Sequence, residues 1–324
     1  MKVGITIRSA QYPLGRRRPN GYNGVKGLNA LLAIVSTPIS APVVVATRLR
    51  RGPTNSARGA ARIVADALVT ARACGGGGLV TVRADSAYYG HDVVAAARRG
   101  GARFSVTVRM NRTVVTAISG IEESAWVPIH YPNAIWDEDE QRLVSDAEVA
   151  EVAFTAFTSR RKADHINARL IVRRVRRLNP KSIPDGQGEL FPDYRHHGVF
   201  TDSPLTMLQA EKTHRAHAIV EQVIADLKSG ALAHLPSGQF ASNGAWLVLA
   251  AIAFNLTRAA GTIASVVHAK ATTATIRRQL IAVPGRLARS ARKLVIHLPK
   301  DWPWQDSWEG LFNAACGPPA PATT

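Results

Sequence analysis

The chain has 324 residues, which is enough for a large buried core and, at roughly 100–200 residues per domain, for about two domains. Hydrophobic residues make up 46% of the sequence, which excludes an intrinsically disordered chain. Lysine and arginine number 41 against 23 acidic residues, so the formal net charge is +18. Such an excess is typical of proteins that bind a polyanion, most often nucleic acid, although a generally basic or ribosome-associated surface is an alternative.

The cysteine content and the hydropathy pattern exclude two further classes of protein. The two cysteines, Cys74 and Cys316, are too few and too far apart for a disulfide framework or a zinc signature, which favours a reducing cytoplasm. The longest uninterrupted apolar run, Ala245–Phe254, is about half as long as a bilayer span requires. The N-terminal segment lacks the apolar stretch of a signal peptide. We therefore predict a cytoplasmic protein that is neither secreted nor membrane-spanning.

The positive charge is concentrated near the N-terminus. Residues 1–84 hold thirteen basic side chains and a single acidic one, Asp66. Clustered arginine suits contacts with phosphate groups, because the guanidinium group pairs with two phosphate oxygens at once; a solvated loop surface is the alternative. The predicted phosphate-contacting side chains of these clusters are Arg16, Arg17, Arg18, Arg50 and Arg51.

In chain order, the first 110 residues predict the element order β-β-β-α-β-α-β. The strands are predicted at Val3–Arg8, Gly27–Ser36, Pro42–Leu49, Leu79–Ala84 and Arg103–Arg109, and the helices at Ala60–Cys74 and Asp92–Arg99. Three leading antiparallel strands followed by alternating α/β units describe an α/β layer fold. The glycine run Gly75–Gly78 follows a helix and precedes a strand, which is the reverse of the order in a phosphate-binding loop, so it does not predict one.

The rest of the chain divides into three further segments. They follow residues 1–110, which are predicted to form the first part of the α/β core. Residues 111–200 are predicted to be a β-rich insertion. The segment His197–Asp202 is predicted to be a strand that returns to the main sheet. Residues 201–263 continue the core with a helix over Leu205–Lys228, for which a break near Glu211 is an alternative, and with an apolar helix over Asn243–Ala260. Residues 264–324 are a basic and aromatic C-terminal region with a tail.

The helix predicted over Leu205–Lys228 carries polar side chains at a spacing that brings them together. His214, His217, Glu221 and Lys228 fall on one stripe about 60° wide, because successive helical residues are rotated by about 100°. Two imidazoles, a carboxylate and an ammonium group are costly to bury in an apolar core. The stripe therefore predicts either a functional site or a face turned to solvent.

Asp85 follows a strand of buried type, at the end of the sheet where open α/β folds bind ligands. Asp85 and Glu221 could together hold Mg²⁺, and two such ions about 4 Å apart would activate a water or a 3′-hydroxyl for phosphodiester displacement, with Lys228 facing a phosphate. An aspartate at a strand end can instead cap the next helix. The His214, His217 and Glu221 spacing could also ligate zinc, but it lacks the His-Glu-x-x-His pattern and any cysteine.

At these residues the sequence resembles bacterial insertion-sequence transposases of the DDE type, in transposase DDE domain group 1. The likeness runs from Val25 to Trp304, and its most specific stretches are Arg83–Tyr89, His217–Lys228, Leu232–Gly238 and Asn255–Arg258. In that class the glutamate helix carries Tyr, Arg, Glu and Lys at the same spacing. Glu221 and Lys228 match this pattern, whereas His214 and His217 depart from it, and Arg215 is a partial substitute.

The resemblance implies a fold, a metal and a reaction. It implies an RNase H-like core, a mixed sheet flanked by helices, with a β-rich insertion and a helical C-terminal region. It also implies Mg²⁺ or Mn²⁺, two ions in an intact site, and cut-and-paste transposition of double-stranded DNA between terminal inverted repeats, by a homo-oligomer on the bacterial nucleoid. Asp85 matches the second acidic residue and Glu221 the third, so the resemblance implies that both are catalytic metal ligands.

The first acidic residue of the family is expected on the opening strand, where this chain has Gly4-Ile5-Thr6. No other acidic residue precedes Asp66, and a segment that helps bind transposon ends is expected before Met1. Losing one of three metal-binding carboxylates weakens metal binding. We therefore expect a truncated copy that is impaired in cleavage. The alternatives are a catalytically inactive DNA-binding remnant and a basic RNA-binding protein.

Overall fold

The computed structural model describes residues 3–13, 27–38, 41–129, 136–137, 142–143, 147–176, 194–290 and 293–317. The chain divides into two compact units, each made of two stretches of sequence. The first unit combines Met1–Arg8 with Asn55–Ala218, and the second combines Ser9–Thr54 with Ile219–Thr324. These boundaries do not coincide with those of the four segments predicted from the sequence.

The strands and helices follow one another along the chain with these bounds. The strands are β1 (Val3–Pro13), β2 (Gly27–Ser36), β3 (Val43–Arg51), β4 (Val80–Ala84), β5 (Arg103–Thr107), β6 (Val127–Ile129), β7 (Trp136–Asp137), β8 (Arg142–Leu143), β9 (Ala147–Ala156), β10 (Ile166–Arg176), β11 (Tyr194–Thr201), β12 (Arg286–Ser290) and β13 (Lys293–His297). The helices are α1 (Ala60–Ala73), α2 (His91–Arg99), α3 (Arg112–Ser119), α4 (Met207–Arg215), α5 (Ile219–Lys228), α6 (Phe240–Ala264), α7 (Thr273–Ile276) and α8 (Gln305–Cys316).

The centre of the first unit is a group of parallel strands. The observed order β1-β2-β3-α1-β4-α2-β5 confirms the order predicted for the first 110 residues. β4 lies between β1 and β5 and runs parallel to both, with Ile7 opposite Ala84. Val80, Val82 and Ala84 are buried, as expected of a short apolar strand at the centre of a sheet whose faces are both covered.

The strands of the predicted insertion extend this sheet. β11 runs antiparallel to β5 with Phe200 opposite Val106, which confirms that the segment after residue 196 returns to the main sheet. β10, β9 and β6 then follow in order, each antiparallel to its neighbour. The described residues of 111–200 are therefore rich in β-strand, as predicted, and β6, β9, β10 and β11 continue the sheet through backbone hydrogen bonds.

The helix predicted over Leu205–Lys228 is wrong as a single helix. α4 starts after Thr206, whose side chain caps it, and ends at Arg215. A 3₁₀ segment, Ala216–Ala218, separates α4 from α5, and the boundary between the two units follows Ala218. Neither glycine nor proline occurs at this break, so the residue types gave no signal for it. The four polar residues of the predicted stripe consequently do not share one helix.

The second unit has its own apolar core. β2 and β3 pair as antiparallel strands, and the side chains of Leu28 and Leu32 are packed in one cluster with Val223, Leu247 and Phe254 of the helices α5 and α6. Asn255 of α6 fixes this arrangement by binding the backbone of Val44 twice: its Oδ1 accepts from the N–H at 2.9 Å, and its Nδ2 donates to the carbonyl at 2.6 Å.

Helix α6 is the one described helix that is long and apolar enough to cross a membrane by length and composition. This is weak evidence for a membrane span, because the core helix of a globular protein meets the same criterion. One face of α6 is indeed part of the core of the second unit, through Leu247, Ala250 and Phe254. We assign α6 to that core.

Candidate functional site around Asp85

Asp85 stands at the carboxyl end of β4, where the sequence predicted a site. Its backbone is extended, and it caps the short 3₁₀ helix Ser86–Tyr88, because Oδ1 accepts a hydrogen bond from the Ala87 N–H at 2.9 Å. The capping role that was an alternative for this aspartate is therefore present. The side chain is still 27% exposed, so the carboxylate is not sealed in the core.

The second oxygen of Asp85 is bound by an arginine of β1. Nη1 of Arg8 donates to Oδ2 of Asp85 at 2.5 Å. The contact follows from the sheet register, because Ile7 lies opposite Ala84 in the parallel pair. Arg8 and Asp85 are the residues that directly follow these two in the chain. A charge-assisted hydrogen bond of this length is among the strong ones in proteins.

Two further arginines lie close to this end of β4. Arg83 is buried, and its Nη1 donates to the carbonyl of Thr213 at 2.9 Å. Burial lowers the pKa of Arg83 to about 10, which still leaves it charged near neutral pH. Nε of Arg109 donates to the carbonyl of Ser86 at 3.1 Å. The surroundings of Asp85 in the first unit thus carry an excess of positive charge.

Gly4 does not lie beside Asp85. The register of β1 and β4 places Gly4 opposite Thr81, four residues before Asp85. The family's first acidic residue, which the resemblance places at Gly4, would therefore not stand at the level of Asp85 in the strand pairing. The β1 residue at the level of Asp85 is Arg8, and the sequence reasoning did not single it out.

Among the described residues, the side chains around Asp85 do not make up a divalent metal site. Within the described ranges, no group of three or more His, Cys, Asp or Glu side chains is placed to hold a metal ion. Mg²⁺ and Mn²⁺ favour several oxygen ligands with a negative total charge, whereas Oδ2 of Asp85 is already bound to a guanidinium group. The donor set around Asp85 as it stands does not fit a divalent ion. The zinc alternative has no described ligand cluster either.

His214 lies in the interior of the first unit and is only 4% exposed. Its Nδ1 is 2.9 Å from the Ser105 hydroxyl and its Nε2 is 3.0 Å from the Thr107 hydroxyl, both on β5. The predicted phosphate contact of His214 does not fit this burial, because a phosphate could not reach the ring. The side chain of His217 lies outside the described residues.

Arg215 is engaged with a buried acid that the sequence reasoning missed. Nε of Arg215 is 2.7 Å from Oε1 of Glu211, and Nε of Arg173 is 3.7 Å from the same oxygen. The Glu211 side chain is 5% exposed, whereas that of Arg215 is 37% exposed. Arg215 therefore neutralises a buried carboxylate while part of its own side chain remains exposed.

Glu221 and Lys228 belong to the second unit and are both exposed on α5. Nζ of Lys228 lies 5.6 Å from the centre of the Tyr12 ring, within reach of a cation–π interaction. The buried acid of this helix is Asp226, which binds Nη2 of Arg258 at 2.6 Å and the hydroxyl of Thr273 at 2.6 Å. Sequence reasoning missed Asp226, because its burial depends on α6 and on the residues that start α7.

The N-terminal arginine clusters are only partly described. Arg16, Arg17 and Arg18 lie outside the described residues. Arg50 is 5% exposed, and its guanidinium group binds Oδ1 of Asn29 through Nε at 3.1 Å and Nη2 at 2.5 Å. The predicted phosphate contact of Arg50 therefore does not fit its position in the core. Arg51, the next residue on β3, is exposed.

The first unit also contains a cavity of about 990 Å³ that the sequence did not reveal. The guanidinium carbon of Arg174 lies 4.2 Å from the ring centre of Trp126 and 4.4 Å from that of Tyr194. Glu123 and Glu148 bind the same guanidinium group, which raises the pKa of Arg174 and lowers that of Glu123. The guanidinium group of Arg174 at this cavity is thus bound by aromatic and acidic side chains of the protein itself.

The family model for transposase DDE domain group 1 matches residues 39–315. The chain belongs to this family. No curated protein matches it. Among solved structures, the cryo-EM structure of the piggyBac transposase synaptic complex with hairpin DNA is similar, with 11% identity, a TM-score of 0.44 and a match that covers 85% of this chain and 51% of that chain. The chain thus spans about half the length of that transposase.

Membership of this transposase family agrees with the architecture described above. The mixed sheet with helices between its strands confirms the predicted α/β fold. Transposases of the DDE family generally use divalent metal ions. In this member of the family, the positively charged neighbours of Asp85 are unfavourable for binding such an ion.

Proposed function

We propose that this transposase chain binds double-stranded DNA at transposon ends and target sites, and that this copy is impaired in metal-dependent strand cleavage. The DNA-binding part rests on family membership and on the formal net charge of +18. The impaired cleavage rests on one observation, the ion pair between Arg8 and Asp85. A carboxylate held by a guanidinium group is a poor ligand for Mg²⁺ or Mn²⁺.

Within this proposal the residues have separate roles. Asp85 and Glu221 are the acidic residues of the cleavage chemistry, which in an intact site uses two Mg²⁺ or Mn²⁺ ions. Cleavage and strand transfer would complete a cut-and-paste transposition, carried out by a homo-oligomer on nucleoid DNA in the cytoplasm. The side chains proposed to contact DNA are Lys228, Arg215, His217, Arg51, Arg16, Arg17 and Arg18.

Nicking of supercoiled plasmid with Mn²⁺, measured beside binding of a duplex oligonucleotide, tests both parts of the proposal. We expect the purified chain and its Asp85→Ala variant alike to bind the duplex and to leave the plasmid intact. Nicking by the unmodified chain that disappears in Asp85→Ala would contradict the impairment. Absence of duplex binding at low salt would contradict the DNA-binding function, and preferential binding of RNA would favour the RNA-binding alternative.

A further inference from the structure

The contact between Arg8 and Asp85 places a fixed positive charge where a bound cation would meet the carboxylate. Nη1 of Arg8 lies 2.5 Å from Oδ2 of Asp85, and both side chains are partly exposed, at 34% and 27%. Oδ1 of Asp85 accepts from the Ala87 N–H. Both oxygens of Asp85 are therefore engaged by the protein itself.

The surroundings add positive charge and offer little to a metal ion. Arg83 is two residues before Asp85, which places the two residues on the same side of an extended backbone. Arg109 binds the carbonyl of the next residue, Ser86. A divalent ion at Asp85 would meet like charges, and the described residues offer no cluster of acidic or imidazole ligands to compensate for them.

We propose that Arg8 takes the place of a divalent cation at Asp85, and that position 8 rather than position 4 decides whether this end of the sheet binds metal. An acidic residue at position 8 would stand beside Asp85 at the end of β4, whereas one at position 4 would stand opposite Thr81. The inference deepens the proposed function, since it names the residue responsible for the impaired cleavage. It rests on the proposed function only where it connects metal binding at Asp85 with cleavage.

Calorimetric titration of Mn²⁺ into the full chain tests the proposal. We expect the Arg8→Asp variant to bind Mn²⁺ at least about tenfold more tightly than the unmodified chain, because a neighbouring positive charge is replaced by a second carboxylate. Arg8→Gln removes the charge without adding a ligand and should give a smaller increase. Gly4→Asp is the matched control, which adds a carboxylate to the same strand, and it should leave the affinity unchanged.

Two further measurements locate the bound ion, so that the conclusion does not depend on any single variant. Adding Asp85→Asn to Arg8→Asp should abolish the gain in affinity. In the unmodified chain, Mn²⁺ at submillimolar concentration should leave the NMR signal of the Ala87 amide unbroadened, because that amide lies 2.9 Å from Oδ1 of Asp85 and would report an ion bound there. Circular dichroism establishes that each variant is folded.

Three outcomes would overturn the inference. These are broadening of the Ala87 signal in the unmodified chain, unchanged Mn²⁺ affinity in folded Arg8→Asp and Arg8→Gln, and a gain in affinity in Gly4→Asp. Duplex binding by the same preparations separates this inference from the proposed function. Loss of duplex binding with the expected metal results would reject the DNA-binding function alone. Duplex binding without plasmid nicking, together with any of those three metal results, would reject the inference alone.

Discussion

At the scale of single residues, the roles of charged side chains in this chain are decided by partners far away in the sequence. Asp85 could be identified as a candidate from the sequence, because it follows an apolar strand. Its partner Arg8 is 77 residues away, and only the parallel register of β1 and β4 brings the two together. The same holds for the buried Asp226, which looks like a surface residue in a helical pattern but is bound by the distant Arg258 and Thr273.

Asp226 gives a direct test at this scale. Replacing it by Ala leaves the buried Arg258 without its carboxylate partner and frees the Thr273 N–H and hydroxyl. We expect the free energy of unfolding to fall by about 3–5 kcal/mol, as is typical when one partner of a buried ion pair is removed.

The measurement is urea denaturation followed by circular dichroism. The exposed neighbour Gln222 of the same helix provides the control, because Gln222→Ala should change stability by less than about 0.5 kcal/mol. Equal effects of the two substitutions would show that the Asp226 pair contributes no special stability.

At the scale of elements, residue patterns predict strands and helices well and predict how they join less well. The order of strands and helices up to β5 follows from alternation of apolar segments with glycine-containing turns. The break between α4 and α5 falls in a segment whose residues all tolerate a helix, so only tertiary contacts set it. His214, Glu221 and Lys228 would share one face of a continuous helix, but His214 lies on α4 and the other two lie on α5.

Two glycines of α6 provide a matched test of how packing overrides helix propensity. A Cβ at Gly261 would lie 2.6 Å from Cδ1 of Ile276 and 2.7 Å from the carbonyl oxygen of His268. Gly261→Ala should therefore destabilise the protein by about 1–3 kcal/mol, the usual cost of overpacking.

Gly244 stands in the same helix, and a Cβ added there would meet no other atom within 4 Å among the described residues. Gly244→Ala should stabilise the protein by up to about 1 kcal/mol, because alanine has the higher helix propensity. Thermal unfolding of both variants makes the comparison. A rise in thermal stability in Gly261→Ala would mean that α6 is packed less closely against Ile276 and His268 than these distances indicate.

At the scale of the whole molecule, charge and family membership carry the functional conclusion. A formal net charge of +18 predicts binding to a polyanion, and the family match over residues 39–315 makes that polyanion DNA in our proposal. The chain is arranged in two compact units made of interleaved sequence stretches, which no composition shift along the sequence indicated.

The salt dependence of duplex binding tests this conclusion. The logarithm of the binding constant should fall linearly with the logarithm of salt concentration, by about 0.9 for each phosphate neutralised. Replacing the exposed Arg51 by Gln should reduce the magnitude of that slope by about 1. Arg62→Gln is the control, because Arg62 is already paired with Asp66 at 2.9 Å. An unchanged slope in Arg51→Gln would remove Arg51 from the DNA-contacting residues.

The sequence by itself determined the α/β fold class, the family resemblance and the order of the elements up to β5, because these depend on local residue patterns. The tertiary structure alone decided which charges meet. It paired Asp85 with Arg8, buried His214 and Arg50, and placed Gly4 opposite Thr81. The physical reason is strand register: backbone hydrogen bonds between distant segments fix which side chains share a level of the sheet, and hydrophobic burial fixes which of them meet water.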